Sequence, residues 1–201
     1  MKTRMKGGQR REAIIGVALR LFAEKGFRGV TTRELATAAG ITEPILYQHF
    51  KTKRDLYAAI IESKAREGHP VVKRLQAYYE ARDDRKFFGV LANAMLACYE
   101  RDPEYMRLLL FSGLERHEMA QLFIDREIVD FYALVSSYIK RRIKDGDFQK
   151  LNPNVAARIF VGMVSHHGLV GLIFGDRFVK ASRKKVIDSM VGVFLEGIRG
   201  S

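Results

Sequence analysis

Apolar residues recur at helical spacing along almost the whole chain. Between residues 10 and 25, Ile14, Ile15, Ala18, Leu21 and Phe22 fall on one stripe, the signature of a helix with one buried face, and Gly26 supplies its stop. Residues 32–39 form a short second helix ended by Gly40. Thr42 is suited to cap a third, which runs to about His49, and Pro44 fits its first turn because the N–H it lacks has no intrahelical acceptor there. A fourth helix starts near Lys53 and meets a break at Gly68-His69-Pro70, with a continuation over 71–81. Further helices are predicted at about 84–101, 103–113, 117–145, 154–174 and 183–198, where Pro103 and Pro153 take first-turn positions and Gly146 and Gly175 mark ends. Strand-like alternation is absent. The predicted fold class is all-α with about nine helices.

The second and third helices stand apart because both are under ten residues and are joined by a three-residue turn that starts at glycine, the dimensions of a helix-turn-helix. Leu35, Ala36 and Ala39 give the first of the pair a small apolar face, and Ile41, Leu46 and Phe50 supply the matching one. Glu43, Pro44, Ile45, Tyr47, Gln48 and His49 remain on the outside of the second. A helix so short does not fold alone. Packing against its neighbours holds it rigid, which suits an element that enters a major groove.

Composition sharpens this. The 201 residues include 47% hydrophobic ones, enough for a real core, and 35 Lys+Arg against 23 Asp+Glu give a net charge of +12. Such an excess points to a polyanion, either nucleic acid or an anionic membrane surface. It is uneven: residues 1–67 hold 14 basic and 7 acidic residues, a net +7, and residues 68–201 carry the remaining +5. Lys2, Arg4, Lys6, Arg10 and Arg11 make the N-terminus a basic arm of the kind that lies in a DNA groove. Lys140-Arg141-Arg142-Ile143-Lys144 is a second basic run, the best argument for a membrane-surface protein, although it ends at Asp145.

Other chemistry is sparse. No Gly-x-Ser-x-Gly, His-Glu-x-x-His or phosphate loop supports an enzyme, and no cofactor is expected. His166 and His167 are adjacent on a helix and point about 100° apart, so no metal site is expected. Cys98, alone, cannot form an intramolecular disulfide and sits in an apolar segment where it is expected to be packed. The apolar window Ile159–Gly175 is interrupted by Ser165, His166 and His167 and is short for a membrane span, and the N-terminus lacks a signal-peptide core, so a cytoplasmic protein with no membrane partner is expected.

Five segments in this order resemble the tetracycline-repressor (TetR) family of bacterial transcriptional regulators: Ala18 to Phe27, Thr31 to Ala36, Ala39 to Thr42, Leu46 to Phe50 and Lys53 to Leu56. The resemblance covers about residues 10–60. It implies a helix-turn-helix DNA-binding domain at 1–52, with the arm at 1–9, and an effector-binding and dimerisation domain at 53–201. It further implies a ligand-released repressor that binds a palindromic double-stranded DNA operator as a homodimer through residues 32–49. Position by position, Thr32, Thr42, Tyr47, His49 and Lys53 look like phosphate contacts and Arg33 like a groove-reaching base or phosphate contact. Glu43, Pro44 and Ile45 occupy the base-reading turn, where Glu43 is able to accept from cytosine N4 and Ile45 to touch a thymine methyl.

Residues 71–150 are rich in large, soft and aromatic side chains that either fill a core or line a cavity. The resemblance implies that some line a pocket for a small apolar or amphipathic effector; Phe88, Met95, Tyr99, Phe111 and Phe131 are the candidates, with Arg107 or Arg116 available to an anionic headgroup. The two last helices carry more apolar surface than one face of a small monomer needs, so Phe160, Val164, Gly168, Leu172, Val186, Met190 and Phe194 are the candidates for a dimer interface.

Overall fold

The computed structural model describes residues 7–114, 129–175, 177 and 180–200. Among them are nine helices: α1 (Gly7–Lys25), α2 (Thr32–Ala38), α3 (Glu43–His49), α4 (Lys53–Ala81), α5 (Asp84–Arg101), α6 (Pro103–Leu114), α7 (Val129–Asp145), α8 (Pro153–Phe174) and α9 (Arg183–Ile198). The described residues contain no β-strand, only an isolated bridge between Phe148 and Arg199. The fold is all-α. The helix expected over 117–145 is described from Val129 onward; Arg116 and residues 1–6 of the basic arm lie outside the described residues.

Two compact units make up the chain, which passes from the first to the second between Glu67 and Gly68 and returns to the first at Glu104. In the first, α1, α2, α3, the N-terminal half of α4 and nearly all of α6 pack around Phe22, Leu35, Leu46, Phe50, Leu56, Tyr57, Ile60 and Leu108. Tyr57 and Ser112, both buried, share a 2.6 Å hydrogen bond between their hydroxyls, which satisfies the two polar atoms inside this core. This packing unit is larger than residues 1–52.

In the second unit, α8 packs against α5 and α7, and α9 packs on α5. Its centre is aromatic: Phe87 stacks on Tyr138 at 3.9 Å, and Phe88, Phe160 and Phe194 form a mutual cluster with ring centroids 4.7–5.0 Å apart. One buried cation is built in beside it. Arg142 is 9% exposed and pairs with Asp84, Asp145 and Asp147 at 2.8, 3.1 and 2.9 Å. Tyr138 donates to Asp84 at 2.6 Å, and burial followed by this hydrogen bond pushes its hydroxyl above the usual range.

The break expected at Gly68-His69-Pro70 does not occur. α4 runs unbroken through these residues. An interior proline costs a helix about 3 kcal/mol, but the flanks are anchored independently, by Leu56, Tyr57, Ile60 and Ile61 in one core and Leu75 in the other. The sequence break marks the point where packing passes from one unit to the next. Cys98 is exposed, contrary to the packed position expected for it.

Candidate nucleic-acid interface

Local chemistry sets the helix-turn-helix. Thr31 and Glu34 form a reciprocal capping box at the start of α2, and the Lys25 ammonium pairs with Glu34 at 3.1 Å. The Thr31 backbone N–H, then the Lys25 and Thr31 side-chain bonds, lower the Glu34 carboxyl to a pKa of about 2. Gly40 then takes φ +65, and the Ile41 and Gly40 amides donate to Ala36 and Thr37 at 2.9 and 3.0 Å, a Schellman turn. A side chain with a Cβ is strained at this φ, so the glycine is required. Thr42 stands at the N-cap of α3 with extended backbone, yet its side chain makes no cap bond to the helix. Leu46 and Phe50 bury the inner side of α3, and the Arg11 guanidinium lies over the Phe50 ring at 4.8 Å. At the start of α4, Thr52 and Asp55 repeat the reciprocal cap, each backbone amide donating to the other's side chain.

What is left outside is a polar face. Arg33, Thr42, Pro44, Tyr47 and Gln48 are exposed, Tyr47 at 46%, and Glu43, Ile45 and His49 are half-buried beside them. All belong to α2, α3 and the residue that precedes α3, so one rigid unit presents them together. Gln48 and Lys51 join this exposed set without having been assigned a role from sequence. For Gln48 the signal was its position one turn beyond Pro44.

Two of the expected contacts are engaged within the protein instead. The Lys53 ammonium donates to the Phe27 and Val30 carbonyls at 2.7 and 2.8 Å and lies 4.3 Å from the centre of the Phe27 ring. A cation so placed fastens the α1–α2 turn to α4, with two of its three N–H donors directed at carbonyls. The Thr32 hydroxyl donates its one proton to Glu43 Oε2 at 2.8 Å, so it has none for a phosphate oxygen.

The effector candidates divide. Phe88 is fully buried in the aromatic core. Phe111 lies on α6 in the first unit, 38% exposed, and is not grouped with the others. Met95 and Tyr99 on α5 and Phe131 on α7 are half-buried in the second unit. Burial pushes the Tyr99 hydroxyl up, against a side-chain hydrogen bond with Ser165.

The dimer candidates divide as well. Phe160, Val164, Gly168 and Phe194 face inward: the first two are fully buried, Phe194 is 6% exposed, and a Cβ on Gly168 would meet the Tyr99 ring at 2.4 Å. They serve this chain's own core, and their assignment to an interface is corrected. Leu172, Val186 and Met190 are half-buried, and the exposed apolar residues of α8 and α9 are Val155, Ile159, Ile173, Phe174 and Val193.

α8 spans 22 residues, longer than the apolar window 159–175, and is long and apolar enough by composition to cross a membrane. In this fold Ala156, Ala157, Phe160, Val161, Val164 and Gly168 insert it into the second core. Among the described residues no three His, Cys, Asp or Glu side chains are grouped to hold a metal.

Residues 14–60 match the family model of bacterial regulatory proteins of the tetR family, and residues 88–197 match that of the AefR-like transcriptional repressor C-terminal domain, which alone covers more than half the chain. The chain belongs to the tetR family. It is a DNA-binding transcriptional regulator of the helix-turn-helix type. The HTH-type transcriptional regulator YvkB of Bacillus subtilis is 21% identical over 196 residues, covering 92% of this chain and 95% of that protein. The tetracycline repressor protein class C of Escherichia coli is 46% identical, but over 59 residues, 29% of this chain and 27% of its own. The transcriptional regulator FadR from Bacillus subtilis, solved in complex with stearoyl-CoA, superposes with a TM-score of 0.73 at 15% identity, covering 93% of this chain and 98% of that one. The fold of the family thus extends over most of the chain, while the closer sequence likeness to the tetracycline repressor spans 59 residues.

Proposed function

We propose that this regulator is a ligand-released repressor that binds a palindromic operator as a homodimer. The exposed polar face built on the helix-turn-helix carries the reading. Arg33 reaches a base or phosphate; Glu43, Pro44 and Ile45 read bases; Thr42, Tyr47 and His49 meet phosphates, with Gln48 beside them. Function divides at residue 52, although packing divides at 67: residues 1–52 engage DNA, the arm at 1–9 lying along a groove, and 53–201 sense and dimerise. The site of action is chromosomal DNA in the cytoplasm, and the activity is binding, not catalysis.

Dimerisation uses the exposed faces of α8 and α9. Val155, Ile159, Gly162, His166 and Ile173 follow one another at three-, four- and seven-residue steps along α8, all exposed, and Val193 continues the apolar surface on α9 with the half-buried Leu172, Val186 and Met190. A two-fold pairing of these helices buries the same patch on both copies. The effector is a small apolar or amphipathic molecule received near Met95, Tyr99 and Phe131, and the shared fold with a stearoyl-CoA complex supports an acyl compound.

Selection of bound duplexes from a random pool tests the reading: an enriched palindrome is expected, and a panel of acyl and aromatic compounds should include one that raises the melting temperature and releases that duplex. A pool with no enriched palindrome contradicts it.

A further inference from the structure

We infer that Thr32 is a specificity-positioning residue, which holds the Glu43 carboxylate as the reader of a cytosine amino group and so makes a C·G pair a requirement at one position of each half-site. This rests on the DNA-binding reading above. The Thr32 hydroxyl donates to Glu43 Oε2 at 2.8 Å across the turn between α2 and α3, and both side chains are half-buried. Threonine has two χ1 rotamers open to it in a helix, and the one adopted aims the hydroxyl at Glu43. One carboxylate oxygen is thereby anchored and the other is left at the start of the recognition helix.

An ionised carboxylate only accepts hydrogen bonds. In the major groove the donors are cytosine N4 and adenine N6, while guanine offers N7 and O6 and thymine offers O4 and a methyl group. Adenine N6 stands next to the N7 acceptor, which repels a second acceptor; cytosine N4 has a C–H as its neighbour. A tethered carboxylate with one free oxygen therefore selects cytosine. Its negative charge opposes approach to the phosphates, so it adds nothing to general affinity and acts only by discrimination. An untethered glutamate is free to swing away from a wrong base, and the Thr32 bond removes that escape.

The test is duplex selection, with competition titrations on the selected site, for the full chain and for Thr32→Val, Thr32→Ser and Glu43→Gln. The wild-type palindrome should carry C·G at one position of each half-site. Thr32→Val, which keeps shape and loses the donor, should relax preference at that position by about tenfold and leave the salt dependence as it was. Thr32→Ser should retain the preference. Glu43→Gln should relax the same position and bind non-specific DNA more tightly, and Thr32→Val should add nothing on top of it. A wild-type palindrome whose preference is unchanged in Thr32→Val overturns the inference alone. So does a uniform loss over all sequences with the base preference at that position unchanged, which makes Thr32 a phosphate contact. No palindrome for the wild-type chain overturns the DNA-binding reading, and this inference with it.

Discussion

Lys53 has the sequence position of a phosphate-binding cation and the surroundings of a structural one. Its ammonium satisfies two carbonyls in the α1–α2 turn. Lys53→Met should therefore lower the stability of the first unit by about 1.5–3 kcal/mol, the range for hydrogen bonds to a charged group, seen as an earlier thermal transition. The slope of log affinity against log salt should stay unchanged; a fall of about 0.9 would restore the phosphate role. Glu34 makes a separate prediction. Its carboxyl is lowered from 4.5 to about 2 in the folded state, so the stability it contributes is present above pH 4.5 and is lost as pH falls toward 2. Glu34→Gln should flatten the acid side of the stability curve in that window and leave the neutral-to-basic side with its original shape. Unchanged acid dependence would sink the assignment.

At the scale of elements, the same sequence feature has different outcomes according to what surrounds it. Gly40 ends α2 because its backbone is left-handed, while Gly168 sits in mid-helix because Tyr99 leaves no room for a Cβ. Gly168→Ala has to push the half-buried Tyr99 ring aside and should cost about 1–3 kcal/mol, the range for overpacking. Denaturant melts of Gly168→Ala with and without Tyr99→Leu check this, because the smaller side chain should recover part of the loss. Pro70 is tolerated inside α4, and α3 is held by the buried Leu46 and Phe50 although its seven residues are too few for a stable isolated helix.

At the scale of the whole molecule, net charge gives way to where the charges are placed. In the basic run 140–144, Arg142 is buried among three carboxylates, and Arg141 pairs with Glu80 and lies over Tyr79. Of the four cations in that strip one is buried and a second is held in a surface ion pair, which weakens the main support for a membrane-surface protein. The exposed polar and basic residues of the helix-turn-helix remain as the partner for a polyanion. The proposed dimerisation would double them. Ile159→Glu places a charge in the middle of the exposed α8 stripe, so light scattering should find a monomer whose operator affinity has dropped by at least tenfold. A dimer that persists with unchanged affinity would exclude this face.

The sequence by itself determined the helices, most of their ends and the helix-turn-helix, because periodicity, caps and glycine turns act over a few residues. Helices of 84–101 and 183–198 agree with α5 and α9 to within a residue. Thr52 as a cap and the continuity of α4 were not read out, the second because the anchoring of a helix through proline comes from packing on each side. Only the tertiary structure decided which chemically similar side chains face inward. Phe160 and Ile159 are neighbours on a helix apolar on nearly every side; one is fully buried and the other 58% exposed. Likewise Thr32 and Lys53 are polar residues at a DNA-facing motif, and their roles depend on partners 11, 23 and 26 residues away in the chain. Local pattern fixes backbone conformation because its hydrogen bonds are local, whereas a side chain's role depends on which distant atoms the fold places beside it.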